Sequence, residues 1–129
     1  TESELTASGH ADAQAVARRL KAAREAFVDV VDFVAGNTKA HPNDVFAGSV
    51  PYLMLAGNVV AGWQMARALL VAEQALASGD AGDFGADFMR AKITTARFYA
   101  DHLLTKAPGI RDAIVEGADS VTALAVDAF

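Results

Sequence analysis

Apolar residues recur along this chain at the spacing of helix faces. Val16, Leu20, Ala23, Phe27, Val30 and Val34 are separated by 4-3-4-3-4 positions and share one stripe. They predict a helix from about Asp12 to Ala35, with Asp12 as N-cap and Gly36-Asn37 as the stop. The connection from Asn37 to Gly48 contains His41-Pro42, and a helical turn from Pro42 to Ala47 is expected because proline suits a first helical position. A second helix is predicted from Ser49 to Ala77, capped by Ser49 and carrying Pro51 in its first turn. Ser78-Gly79-Asp80-Ala81-Gly82-Asp83 reads as a loop. Met89, Ile93, Ala96, Ala100, Leu103 and Ala107 repeat the 4-3-4-3-4 pattern and predict a third helix from Phe84 to Lys106. Asp83 and Asp87 suit its positive end and Lys106 its negative end, and Ala107-Pro108-Gly109 is expected to end it. Ile110, Ile114, Gly117, Val121 and Leu124 form the last stripe, which Gly117 and Asp119-Ser120 should break into two shorter helices.

No alternating apolar/polar run bounded by turn residues is present, so strands are not expected. Amphipathic helices joined by short loops bury their stripes against one another, and a four-helix up-and-down bundle is the simplest arrangement. An average spacing of 3.5 favours near-parallel packing with a left-handed twist. The 129 residues contain no repeat or linker, so residues 1–129 read as a single helical bundle domain. A chain of this length buries roughly two-thirds of its unfolded surface and needs no staple. It begins at Thr1 without Met and ends abruptly at Phe129, which suggests a fragment of a larger protein.

The second helix departs from the bundle pattern. Between Val45 and Ala72 the only charged residue is Arg67, and a narrow polar line of Gln64, Arg67 and Gln74 is all that faces water. Two explanations remain open: loops and the last segment cover this helix, or it meets another domain or subunit. Tyr52, Leu55, Val59, Trp63 and Arg67 are the candidate contact residues, and Gly57, Ala61 and Gly62 would allow close helix approach. Trp63 and Arg67 stand four apart and suit either a cation–π pair or core packing with a snorkelling arginine. A membrane span is the weaker reading, because the run holds Asn58, Gln64, glycines and a proline and lacks a basic flank.

Composition narrows the chemistry. The net charge is −5, and Lys and Arg are scattered apart from Arg18, Arg19, Lys21 and Arg24, which argues against nucleic acid as a partner. With no cysteine there is neither disulfide nor thiolate metal site, in keeping with a cytoplasmic location. The acidic, polar N-terminus is unlike a secretory signal. His10, His41 and His102 each lack an acid three residues before them, so a di-metal bundle site is not expected. No phosphate loop, dinucleotide turn, nucleophile elbow or zinc motif occurs, leaving no catalytic, cofactor-binding or metal residue to nominate. Arg97 and Asp101 are placed for a surface pair. Lys92, Thr95 and Tyr99 share a stripe beside the core, either as boundary residues or as a ligand site. Glu25, Asp29 and Asp32 lie toward the negative end of the first predicted helix, where solvent or a basic partner must offset them.

Two stretches carry a resemblance. One runs from Tyr52-Leu53-Met54-Leu55 through Gly62-Trp63 to Ala66-Arg67; the other is Lys92-Ile93-Thr94-Thr95-Ala96-Arg97-Phe98-Tyr99-Ala100-Asp101-His102-Leu103-Leu104. Together they resemble the helical C-terminal domain of long acyl-CoA dehydrogenases of the 3-methylmercaptopropionyl-CoA dehydrogenase-like type. The likeness runs from the first predicted helix to about Leu124. It implies a four-helix bundle and an appended, non-catalytic role. It also implies that FAD, the CoA thioester and the catalytic carboxylate belong to preceding domains. In such enzymes a base removes an α-proton while flavin takes hydride from the β-carbon. The implied partners are those preceding dehydrogenase domains and other subunits of a homo-oligomer.

Two further functions compete with this one: a stand-alone dimerisation module, and a small bundle enzyme or ligand-binding protein. Upstream dehydrogenase sequence would favour the first, a start codon at Thr1 the second, and an enclosed polar pocket the third.

Overall fold

In the computed structural model, which describes residues 1–128, helix begins earlier than the apolar spacing predicts. A short helix α1 spans Glu2–Ala7, with Glu2 and Glu4 in its first turn, where carboxylates favour the positive end of the dipole. Its only large apolar side chain, Leu5, is fully buried. A single apolar residue has no period, so the pattern along the chain could not reveal this helix. Gly9, at φ +76°, lets the chain reverse into α2, Ala11–Asn37. Then follow α3 (Pro42–Ala47), α4 (Ser49–Ser78), α5 (Gly85–His102), α6 (Ala107–Val115) and α7 (Ala118–Thr122). Short 3₁₀ turns cover Gly82–Phe84, Leu104–Lys106 and Val126–Ala128. The fold is all-α, with no strand among the described residues; Phe129 lies outside them.

Several predicted boundaries shift for identifiable reasons. Asp12 lies inside the first turn of α2 and His10 is the N-cap. Ser49 is not the cap of α4 either: Gly48 takes that place, and the Ser49 hydroxyl donates to the Phe46 carbonyl at 2.9 Å. The predicted third helix does not reach Lys106. Proline within a helix clashes with the carbonyl four residues back, which for Pro108 is that of Leu104. The helix stops at His102, passes through the 3₁₀ turn and restarts at Ala107, with Pro108 in the first turn of α6, where no N–H is needed. Pro108 therefore starts a helix instead of ending one. The predicted break near Gly117 is present, between α6 and α7. Val121 and Leu124 are exposed, so the last apolar stripe stops at Ile114 and does not continue into α7.

The long helices α2, α4 and α5 pack on one another, and α6 packs on α2 and α4. α6, with 9 residues, is far shorter than α2, α4 and α5, with 27, 30 and 18. Leu5, Val16, Val30, Leu55, Leu69, Leu104 and Ile114 fill the core, and alanines such as Ala13, Ala23, Ala66, Ala96 and Ala100 floor the helix contacts. Two glycines mark close approaches: Gly62 faces Leu104, and Gly48 faces Ile114. α1 lies against α2 and α4. Its position is fixed by Leu5 and by two hydrogen bonds from Arg24 to the Glu2 carboxylate, at 2.7 and 3.3 Å.

Candidate interaction surface

The core side of α4 is set by Leu55, Gly62, Ala66, Leu69 and Ala72, all buried. A helix advances about 100° per residue at 3.6 residues per turn. The opposite side is therefore occupied by Val50, Leu53, Met54, Gly57, Val60, Gln64, Arg67 and Val71. None of these is buried. Leu53 is 74% exposed, Val50 68% and Met54 59%, on a row with no charge before Arg67. Covering one such side chain is worth roughly 1.5–3 kcal/mol, so the row is a surface that water disfavours. No other segment of the described residues is laid over it.

The predicted contact residues divide between three environments. Leu55 belongs to the domain's own core and cannot reach a partner. Tyr52 and Val59 are partly covered; Tyr52 stacks on Phe27 with ring centroids 5.8 Å apart. Trp63 and Arg67 are exposed, and the guanidinium lies 5.2 Å from the indole centroid, a cation–π pair at the surface and not in the core. Tyr52, Leu55, Val59 and Trp63 follow a stripe about a quarter-turn around α4 from the exposed row and meet it at Arg67. Sequence reasoning therefore missed Val50, Leu53, Met54 and Val60. With both faces apolar, periodicity could not say which face the core takes.

The exposed row continues past the end of α4. Gly79, at φ +74°, closes the helix in the left-handed conformation. Beyond it, Phe84 and Phe88 stack at 4.7 Å, Lys92 lies 4.8 Å over the Phe88 ring, and these residues line an open groove with Arg67 and Val71.

Near the middle of α4 a second groove, of about 530 Å³, lies between α1, α2 and α4. Leu20, Val59, Val60 and Trp63 line its apolar part, and Thr1 and Arg24 its rim. Trp63 Nε1 donates to the Thr1 hydroxyl at 3.0 Å, so the N-cap residue of α1 is held beside the exposed row.

The remaining polar groups are used structurally. Arg97 joins Asp101 at 2.5 Å and Asp12 at 3.0 Å, tying α5 to α2 as well as forming the expected local pair. Arg111 of α6 reaches Asp29 of α2 at 3.3 Å and also pairs with Asp112 and Glu116, so part of the acidity of α2 is offset within the domain. Lys92, Thr95 and Tyr99 do not converge: Thr95 donates to the Ala91 carbonyl at 2.8 Å, and Tyr99 to the Asn58 carbonyl at 3.3 Å. Burial pushes the Tyr99 phenol above its ordinary value. Hydrogen bonds to Glu2, Asp101 and Asp112 raise Arg24, Arg97 and Arg111 respectively. Among the described residues no three His, Asp or Glu side chains gather as a metal site. By length and composition α4 is apolar enough to cross a membrane, and 22% of its most apolar window is buried inside the domain.

Fold and surface together define a helical domain whose central helix is finished on one side only. Residues 2–125 match the acetyl-CoA dehydrogenase C-terminal-like family, and the chain belongs to it. It is 42% identical over 121 residues to the 3-methylmercaptopropionyl-CoA dehydrogenase of Ruegeria pomeroyi. That match covers 94% of this chain and 20% of the relative, so the chain spans about a fifth of the relative's length. No solved structure matches.

Proposed function

We propose that this chain is the accessory C-terminal domain of a cytoplasmic, flavin-dependent acyl-CoA dehydrogenase, and that it contributes packing against the rest of that enzyme. The observation that carries this reading is the uncharged row Val50, Leu53, Met54 and Val60 on the outer side of α4. Family membership and the much longer dehydrogenase relative support it.

The flavin belongs to other domains in this reading. A groove between α1 and α2, lined by Glu2, Ser3, Thr6, Gln14, Arg18 and Lys21 among others, is an open surface feature without a glycine-rich phosphate turn. No flavin contact is assigned to these residues in this reading. No step of the reaction is assigned to them.

Replacing Leu53 and Val60 by lysine in the full-length enzyme tests the proposal. The thermal midpoint followed by flavin fluorescence should fall, and limited proteolysis should release the domain faster, while the domain alone keeps its stability. An unchanged midpoint and digestion pattern would sink it.

A stand-alone dimerisation module is the second reading, and the same row favours it. It requires the 129-residue chain to dimerise in sedimentation experiments, with Leu53→Lys abolishing the dimer.

A further inference from the structure

Building on the accessory-domain reading, we propose that the exposed row of α4 is covered by the polypeptide that precedes Thr1 in the same chain, and not by a second copy. The starting point is where Thr1 lies. Its hydroxyl accepts the Trp63 hydrogen bond at 3.0 Å, and it shares the 530 Å³ groove with Val59, Val60 and Trp63. A chain entering at Thr1 thus emerges against the middle of α4, between the half carrying Leu53 and Met54 and the half carrying Arg67 and Val71.

Three anchors hold that entry point. Leu5 is fully buried, Glu2 is paired with Arg24 at 2.7 Å, and Thr1 is bonded to Trp63. These anchors fix where Thr1 sits, so the residue directly before it starts beside the row. Tethering of this kind acts as an effective concentration, giving a tethered partner an advantage over a free one. The matched relative is about five times as long as the aligned segment, and the family is a C-terminal one, so ample chain precedes the corresponding point.

The row also specifies what covers it. Val50, Leu53, Met54 and Val60 need an apolar surface, and open Gly57 admits a side chain between them, since nothing stands within 4 Å of where its Cβ would be. Arg67 donates to Gln64 at 3.3 Å and lies over the Trp63 ring, but is in no ion pair among the described residues. The covering segment is accordingly apolar, with a carboxylate facing Arg67.

The experiment places photoreactive p-benzoylphenylalanine at Leu53 or Val60 in the full-length enzyme, with products mapped by mass spectrometry. The expected products are monomer-sized and join these positions to residues preceding Thr1. Their yield should hold over a roughly hundredfold dilution, as an intramolecular reaction requires. Trp63→Phe, which removes the bond to Thr1, should lower the yield at Val60. Products of twice the monomer mass that fade on dilution would overturn the inference while leaving the accessory-domain reading intact. Absence of any protein cross-link at either position would overturn both.

Discussion

Gly62 of α4 lies so close to Leu104 that a Cβ there would stand 2.6 Å from Leu104 Cδ2 and 2.9 Å from Cδ1. Leu104 is 1% exposed, in the 3₁₀ turn between α5 and α6, so it has no open space into which to swing. This contact sets how closely α4 approaches the turn forced by Pro108.

Gly62→Ala should destabilise the chain by about 1–3 kcal/mol through overpacking, a loss partly offset by the better helix propensity of alanine. Leu104→Ala should cost about 2–5 kcal/mol as a cavity. Because each change relieves the other, the double variant should lose less than the sum. Urea unfolding followed by far-UV circular dichroism measures all three; strict additivity would contradict the contact.

Leu53 and Leu55 are two positions apart on one helix and differ completely in environment, 74% against 0% exposed. Leu53→Lys in the 129-residue chain should change stability by no more than about 0.5 kcal/mol. Leu55→Lys should cost more than about 4 kcal/mol, because the charge is left unpaired in the core. Equal effects would mean that α4 is rotated about its axis from the arrangement described.

Leu5→Ala should loosen α1 locally. Hydrogen exchange should speed up for the amides of Glu2–Ala7, and Trp63 fluorescence should shift to the red as the Thr1 bond is lost. The equilibrium cost should be about 2 kcal/mol or more. Unchanged exchange in that segment would show that Leu5 does not hold α1 in place.

Tyr99 should contribute to a loss of stability at alkaline pH. Its folded pKa lies above the ordinary phenol value because burial disfavours the phenolate. The unfolded chain therefore loses this proton first as pH rises, so the folded state binds more protons there and stability falls. The contribution is complete below the ordinary tyrosine pKa of about 10 and disappears as pH climbs through the raised value. Ultraviolet titration should show a late-ionising phenol that Tyr99→Phe removes, along with that part of the alkaline loss.

Periodicity along the chain was enough to place α2, α4, the body of α5 and the break after α6, because each rests on repeated local spacing. It also identified α4 as poor in charge and Arg97-Asp101 as a pair. Other features needed the third dimension. Leu5 counts as core only because Arg24 and Trp63 hold α1 against α2 and α4. Pro108 starts α6 after a 3₁₀ turn whose Leu104 packs against Gly62 of a distant helix. Asp12 joins Arg97 across 85 positions. Above all, an apolar helix announces that it must be hidden, yet not from which side. Only the packing of α2, α5 and α6 decided that Leu55 faces inward and Leu53 outward, since burial depends on neighbours that no local window contains.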